Sequence, residues 1–110
     1  MFYKKDDAGY NILVEGVQLK SLVHGEKTHF CEFRIKKGSS VPKHSHPHEQ
    51  TGYLISGRMK FILEDETFEA GPGDSWCIAG DVVHAAEIFE DSVMVEVFSP
   101  VRQDYLDLNS

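Results

Sequence analysis

The sequence predicts an all-β protein, a barrel or sandwich of short antiparallel strands. Turn signals rich in glycine, aspartate and proline recur at short intervals, and the runs between them are rich in β-branched and aromatic residues. Many short strands with regular punctuation are typical of barrels and sandwiches. No segment before Pro100 has the apolar period of a helix. Residues 101–108 are predicted to form either one short helix or a tail without regular structure.

The positions of the turns define the predicted strands. N-terminal strands are predicted over residues 12–17 and 18–23, and core strands over residues 28–35, 51–55, 59–63, 83–89 and 93–98. Ser56-Gly57 lies between two apolar runs, and a glycine able to adopt positive φ there predicts a tight hairpin. Gly71-Pro72-Gly73-Asp74 predicts a second reversal, in which the Asp74 side chain bonds neighbouring amides. Glu90-Asp91 predicts a turn between the last two strands.

Length and charge narrow the class of protein. We expect one domain over residues 1–110, consisting of N-terminal strands (10–25), a core barrel (about 28–100) and a C-terminal tail (101–110). The net charge of −7 argues against nucleic acid and anionic membranes as partners, because both attract clusters of lysine and arginine. No apolar run approaches the roughly 18–20 residues of a membrane span, and residues 1–10 lack the apolar core of a secretory signal. We therefore expect a cytoplasmic protein, with Cys31 and Cys77 as buried, reduced thiols.

A histidine pair is the most informative chemical feature of the sequence. In an extended segment, side chains two residues apart project from the same face, so His44 and His46 can converge on one point. Pro42 and Pro47 bracket the pair and stiffen it, which lowers the entropy lost when an ion binds. The pattern predicts a divalent metal site, and the alternative is a solvated histidine-rich loop without an ion.

Further polar residues extend this predicted site. A hairpin at Gly57 would bring Gln50 to face the same pocket, and His84, on a strand that pairs later, would close it. All four donors are neutral, so the charge of a bound ion is not compensated by its ligands and the ion holds anions well. Mixed nitrogen and oxygen donors suit zinc, nickel, cobalt, iron or manganese. His48 is expected at the rim or on the surface, and His24 and His29 are expected to have structural or surface roles.

These residues resemble the two sequence motifs of the cupin superfamily. The segment Gly38–His46, followed by Gln50 and Gly57, is similar to the first motif, with glutamine in place of the usual glutamate. Gly73-Asp74 followed by His84 is similar to the second motif. The resemblance covers residues 28–100 and implies a small single-domain cupin, which is a double-stranded β-helix or jelly-roll barrel.

The strand near the C-terminus carries an acid among apolar residues. By alternation, one of its faces holds Val93, Val95 and Val97, and the other holds Met94, Glu96 and Phe98. A glutamate at such a position is costly unless it is solvated or paired. Glu96 therefore faces a metal-containing cavity or lies on an exposed edge, and Arg102 folds over the cavity mouth or is simply solvated.

A closer resemblance favours the cavity. Residues 44–53 (HSHPHEQTGY) and 96–106 (EVFSPVRQDYL) resemble the pectin-degradation cupins of the KdgF family. The resemblance implies an isomerase- or tautomerase-type enzyme that opens and ketonises 4,5-unsaturated uronates, with the same four metal ligands. It also implies catalytic roles for Glu96, Phe98 and Arg102. Glu96 would move a proton, Arg102 would pair with the uronate carboxylate and Phe98 would pack on the sugar.

Two other functions are open at this point. One is a metal-dependent, dioxygenase-type cupin, which would consume oxygen, and the other is a non-catalytic module that binds or senses a sugar. The valine face of residues 93–97 and the N-terminal strands offer more apolar surface than one small barrel needs inside, which predicts a homodimer. The expected ligand is a small anionic sugar.

Overall fold

The computed structural model describes residues 1–108. Its main feature is a sheet built on a long antiparallel ladder. Within these residues the strands are β1 (Asn11–Val14), β2 (Val17–His24), β3 (His29–Ile35), β4 (Ser40–His44), β5 (Glu49–Leu63), β6 (Glu66–Ala70), β7 (Ser75–Ile78) and β8 (His84–Ser99), followed by one short helix, α1 (Gln103–Asp107). The predicted all-β class is confirmed, and the C-terminal tail takes its helical alternative. No helix among the described residues is long and apolar enough to cross a membrane.

β8 lies at the centre of the sheet, where it pairs with three other strands. Its first half pairs with β4, its second half pairs with β3, and its whole length pairs with β5. β5 pairs in turn with β7 near its start and with β6 near its end. β2 and β1 extend the sheet beyond β3. The two halves of β5 therefore pair with different strands, and so do the two halves of β8. This change of partners curves the sheet around the core.

The two long strands show that the hairpin and the turn predicted at their centres are wrong. The segments at Ser56-Gly57 and at Glu90-Asp91 both continue as strand. Register shifts between residues 54 and 59 of β5 mark bulges, which bend the ladder without reversing it. Gly57 has a φ of +98°, and a Cβ there would lie 2.6 Å from the carbonyl oxygen of Asp91. The glycine thus allows the two strands to pass closely at the bend.

The second predicted reversal is confirmed. The Gly71 N–H donates to Oδ2 of Asp74 at 2.8 Å, and the Asp74 N–H donates back to the Gly71 carbonyl at 3.0 Å. This turn joins β6 to β7, so that β7 returns along the opposite end of β5.

Alternating burial along the strands builds the core. Its fully buried large side chains include Leu19, Leu54, Met59, Ile78 and Phe98. Cys31 is a buried free thiol, as predicted. Cys77 is exposed, and its predicted burial is wrong because β7 directs Ile78 into the core and the preceding residue to solvent.

We predict that Gly57→Ala destabilises the protein by about 2–4 kcal/mol, since a side chain there combines backbone strain with a clash. The new Cβ would lie 2.1 Å from Oγ of Ser92. Gly25→Ala is the matched control, because a Cβ at Gly25 meets nothing within 4 Å and its φ is not positive. Urea denaturation measures the free energy of unfolding, and equal losses for the two variants would contradict the assigned role of Gly57.

Candidate metal centre and cavity

Three histidines from separate parts of the chain meet at one end of the barrel. His44 ends β4, His84 begins β8, and the two are register partners in the ladder. His46 follows in the loop before β5. The ligand nitrogens of the three side chains all lie within 4.8 Å of one another, and the rings of His44 and His84 are 4.1 Å apart between centroids. The structure thus brings together the three histidines that the sequence predicts as ligands.

Backbone carbonyls fix the orientation of all three rings. Nδ1 of His44 donates to the Pro42 carbonyl at 2.9 Å, Nδ1 of His46 to the His48 carbonyl at 3.0 Å, and Nδ1 of His84 to the Val82 carbonyl at 2.8 Å. A carbonyl oxygen can only accept, so each Nδ1 carries the proton and each Nε2 keeps a free lone pair. Second partners of this kind set the tautomer and raise the basicity of metal-binding imidazoles.

Buried polar atoms without partners mark the centre of this cluster. Within residues 1–108, Nε2 of His46, Nε2 of His84 and Oε1 of Gln50 are buried and make no hydrogen bond. Such atoms are costly unless something else satisfies them. Three imidazole nitrogens and an amide oxygen form a donor set that suits a divalent transition metal, so the residues present fit such an ion.

The Gln50 amide is oriented by an acid. Its Nε2 donates to Oε2 of Glu96 at 2.6 Å, which leaves Oε1 as the atom available to an ion. Oε2 of Glu96 accepts a second hydrogen bond from Nε1 of Trp76 at 2.8 Å. Glu96 is only 3% exposed, so the cavity-facing alternative for this residue is the correct one.

Burial shapes the charge states around the centre. Burial, the Arg102 charge and the neighbouring His84 lower the pKa of His46 to about 4, although Gln50 opposes them. Burial also lowers the pKa of His84. Both rings are therefore neutral at pH 7 and can donate their lone pairs. Burial raises the pKa of Glu96 to about 7, while the hydrogen bonds from Trp76 and Gln50 limit the rise.

A cavity of about 350 Å³ opens beside these residues. Its polar lining comes from His44, His84, Gln50 and Glu96. Its apolar lining includes Val17, Phe33, Phe61, Met94, Phe98 and Tyr105. A pocket with mostly apolar walls and a few convergent polar groups is typical of a small-molecule site.

Arg102 lies next to this cavity without lining it. Its Nε and Nη2 donate to the two carboxylate oxygens of Asp104 at 3.0 and 2.8 Å. Its guanidinium carbon lies 3.9 Å from the ring centroid of Tyr105 and 5.0 Å from that of Phe98, and both rings line the cavity. Nη1 is buried and has no hydrogen-bond partner among the described residues. The role of Arg102 as a substrate contact stays a prediction.

The remaining histidines differ in their roles. His29 is fully buried, and its Nδ1 accepts the backbone N–H of Arg102 at 3.2 Å, so its Nε2 carries the proton and donates to Oγ of Ser21 at 2.5 Å. His29 therefore ties the C-terminal segment to β2, so of its two expected roles the structural one is found. The His48 ring packs edge to face on the His46 ring, with centroids 5.5 Å apart, but its nitrogens do not join the three convergent ligand nitrogens. Its carbonyl orients His46.

Sequence reasoning missed Trp76, Gly52 and Asp104. Trp76 donates a hydrogen bond to the acid in the cavity wall, Gly52 leaves space for the indole, and Asp104 binds the guanidinium of Arg102. A lone tryptophan two residues after the Gly71–Asp74 turn was the available signal, but its partner is 20 residues away in the chain.

Fold and site together define a cupin-type β-barrel with a histidine cluster at its cavity. The Cupin_2 family, a cupin domain, matches residues 31–99, so the chain belongs to the cupins. The predicted jelly-roll class is confirmed by this match and by the similar structures below.

The resemblance to KdgF is also confirmed. Pectin degradation protein KdgF of Dickeya dadantii is 24% identical over 107 residues, which cover 96% of this chain and 97% of that protein. The structure of KdgF from Halomonas sp. has a TM-score of 0.88 and 28% identity, and the alignment covers 94% of this chain and 98% of that one. The polyketide cyclase RemF from Streptomyces resistomycificus has a TM-score of 0.80 and 21% identity over 93% of this chain and 82% of its own. That likeness concerns the fold alone.

We predict that His84→Ala weakens the binding of zinc or nickel by about 100-fold or more, because one of few ligands is lost. His48→Ala is the matched control: it removes a neighbouring imidazole but keeps the carbonyl that orients His46. Isothermal titration calorimetry of the two variants measures the difference. Equal affinities would exclude His84 as a ligand.

We predict that protonation of His29 lowers stability in the metal-free protein. Burial, His24 and Arg102 lower the pKa of His29 from 6.5, with a smaller contribution from His48 in the same direction and an opposing one from Asp104. As the pH falls below about 6.5, the unfolded chain takes up a proton that the folded one resists, so the free energy of unfolding decreases. Chemical denaturation at pH 7 and pH 5 should show a smaller decrease for His29→Gln than for wild type. Equal decreases would contradict this prediction.

Proposed function

We propose that this cupin is a metal-dependent isomerase that opens and ketonises small unsaturated uronates, as the similarity to KdgF suggests. The observation that carries the proposal is the buried carboxylate of Glu96, which lines the same cavity as the histidine cluster and bonds directly to Gln50. An acid held beside a neutral metal-ligand set provides both a proton carrier and a site for an anionic substrate.

His44, His46, His84 and Gln50 would hold the ion. When bound, a divalent metal supplies Lewis acidity that polarises a substrate oxygen and orients the sugar. Because all four donors are neutral, they would leave the positive field of a bound ion uncompensated by its ligands. Such a field favours a carboxylate-bearing sugar in a protein whose net charge is −7.

Glu96 is the proposed acid and base. Both hydrogen bonds that reach its carboxylate go to Oε2, so Oε1 is the oxygen that would exchange a proton with the substrate. In ring opening, the anomeric hydroxyl loses its proton as the bond from C1 to the ring oxygen breaks. This leaves an enolate oxygen on C5, and in ketonisation C4 gains the proton as that oxygen becomes the ketone. The net change moves one proton from oxygen to carbon, and Glu96 would carry it.

Phe98 and Arg102 would bind the sugar. Phe98 lies in the cavity wall, where its ring offers an apolar surface to a sugar face. Nη1 of Arg102 is the guanidinium nitrogen that Asp104 leaves unused. Because the guanidinium lies beside the cavity and over the rings of Phe98 and Tyr105, it would have to turn toward the cavity to pair with the uronate carboxylate.

We predict that Glu96→Gln lowers kcat for the consumption of a 4,5-unsaturated galacturonate by at least about 100-fold, because the amide cannot exchange a proton. The absorbance of the conjugated double bond follows the reaction. Glu49→Gln is the control, since Glu49 adjoins Gln50 in sequence but is exposed.

Several results would contradict the proposal. Unchanged kcat in Glu96→Gln would remove Glu96 from the mechanism. A requirement for oxygen in wild type would favour the dioxygenase-type reaction, because an isomerase works anaerobically. Tight binding of the uronate by metal-loaded protein without turnover would favour a sugar-binding module.

A further inference from the structure

A row of register partners links three neighbouring strands beneath the cavity. Gly52 on β5 lies opposite Trp76 on β7 and opposite Glu96 on β8. Residues directly opposite one another in a ladder project from the same face, so the indole and the carboxylate are on one side of the sheet. They are nonetheless two strands apart, roughly 9–10 Å in backbone spacing. The side chains of Trp76 and Glu96 can make contact only if one of them extends across β5, the strand between them.

Gly52 provides the space for that crossing. A Cβ built on Gly52 would lie 2.3 Å from Nε1 and 2.3 Å from Cε2 of Trp76, well inside van der Waals contact. The φ of Gly52 is not in the positive region, so the backbone alone would accept other residues. The space that the indole fills is therefore what requires glycine here. Phe61 packs on the indole with ring centroids 4.5 Å apart and holds it in this position.

We propose that Trp76, lying across Gly52, is a positioning residue that sets the orientation of Glu96 and, through it, of the Gln50 amide. The Nε1–H of Trp76 and the Nε2–H of Gln50 both donate to Oε2 of Glu96, at 2.8 and 2.6 Å. Two donors on one oxygen fix the rotation of the carboxylate. Oε1 is then the oxygen free for proton exchange, and the Gln50 amide keeps Oε1 as its own free atom. The catalytic part of this proposal rests on the proposed function.

Trp76→Phe tests the hydrogen bond while keeping an aromatic ring. Loss of the indole N–H should lower kcat about tenfold with KM changed less than about twofold, because the acid is misoriented while the binding surface stays. It should also weaken zinc binding about tenfold, since the amide of Gln50 loses its fixed orientation. Tyr53→Phe is the control, because Tyr53 lies next to Gly52 but is exposed. Normal kcat together with normal zinc affinity in Trp76→Phe would overturn the proposal.

Gly52→Ala tests the crossing itself. Trp76 is the protein's single tryptophan, so its fluorescence reports its own position. The added methyl group should push the indole out and move its emission to longer wavelength. Gly71→Ala should not, because a Cβ there comes only within 4.0 Å of an Asp74 oxygen. If the residues act as one unit, the losses of zinc affinity in Gly52→Ala and Trp76→Phe should not add in the double variant. Unshifted emission or additive losses would overturn the proposal.

The readouts separate this proposal from the proposed function. Emission wavelength and zinc affinity do not depend on the substrate. If wild-type protein does not turn over an unsaturated uronate, the proposed function fails, while these two measurements still decide whether Trp76 positions Glu96 and Gln50.

Discussion

The hydrogen bond between Gln50 and Glu96 is the contact on which the site depends. An amide can serve two partners at once, because its nitrogen donates to the acid and its oxygen stays available to an ion. A glutamate at position 50 would instead place two carboxylates about as close together as the 2.6 Å contact seen here, and they would have to share a proton. The glutamine that departs from the usual cupin motif is thus explained by the buried acid beside it.

The bent ladder brings this contact about. β5 carries Gln50 and β8 carries both His84 and Glu96, so one pair of long strands contributes to the candidate metal site and to the cavity wall. β8 can do this because its first half pairs with β4 and its second half pairs with β3. The bulged bend at Gly57 lets the two strands change neighbours without separating. Two short strands joined by a hairpin would not place these residues on a common cavity.

Local periodicity was enough to predict part of this arrangement. Period-2 alternation placed Glu96 and Phe98 on one face of their strand, and the resemblance to KdgF favoured the cavity over an exposed edge for that face. The spacing of His44 and His46 indicated convergent donors. The hairpin predicted at Gly57 is wrong because a glycine with positive φ between two apolar runs is expected for a bulged bend as well as for a chain reversal. Trp76 and Asp104 were missed for different reasons. The partner of Trp76 is two strands away, and Asp104 is close in sequence to Arg102 but carries no pattern that distinguishes it from a solvated acid.

The four candidate donors fall into two groups, according to the chemical group that orients each of them. The three imidazoles are oriented by hydrogen bonds to main-chain oxygens, and each of these oxygens belongs to a residue two positions away. Replacement of neighbouring side chains cannot remove those oxygens, so the orientation of the three imidazoles does not depend on the side chains around them. The amide of Gln50 is oriented by the side chain of Glu96, so a substitution of Glu96 can change this orientation. One donor of the proposed site is therefore adjustable by mutation while three are fixed by the main chain, so the strength of the site could be changed without rebuilding the histidine cluster.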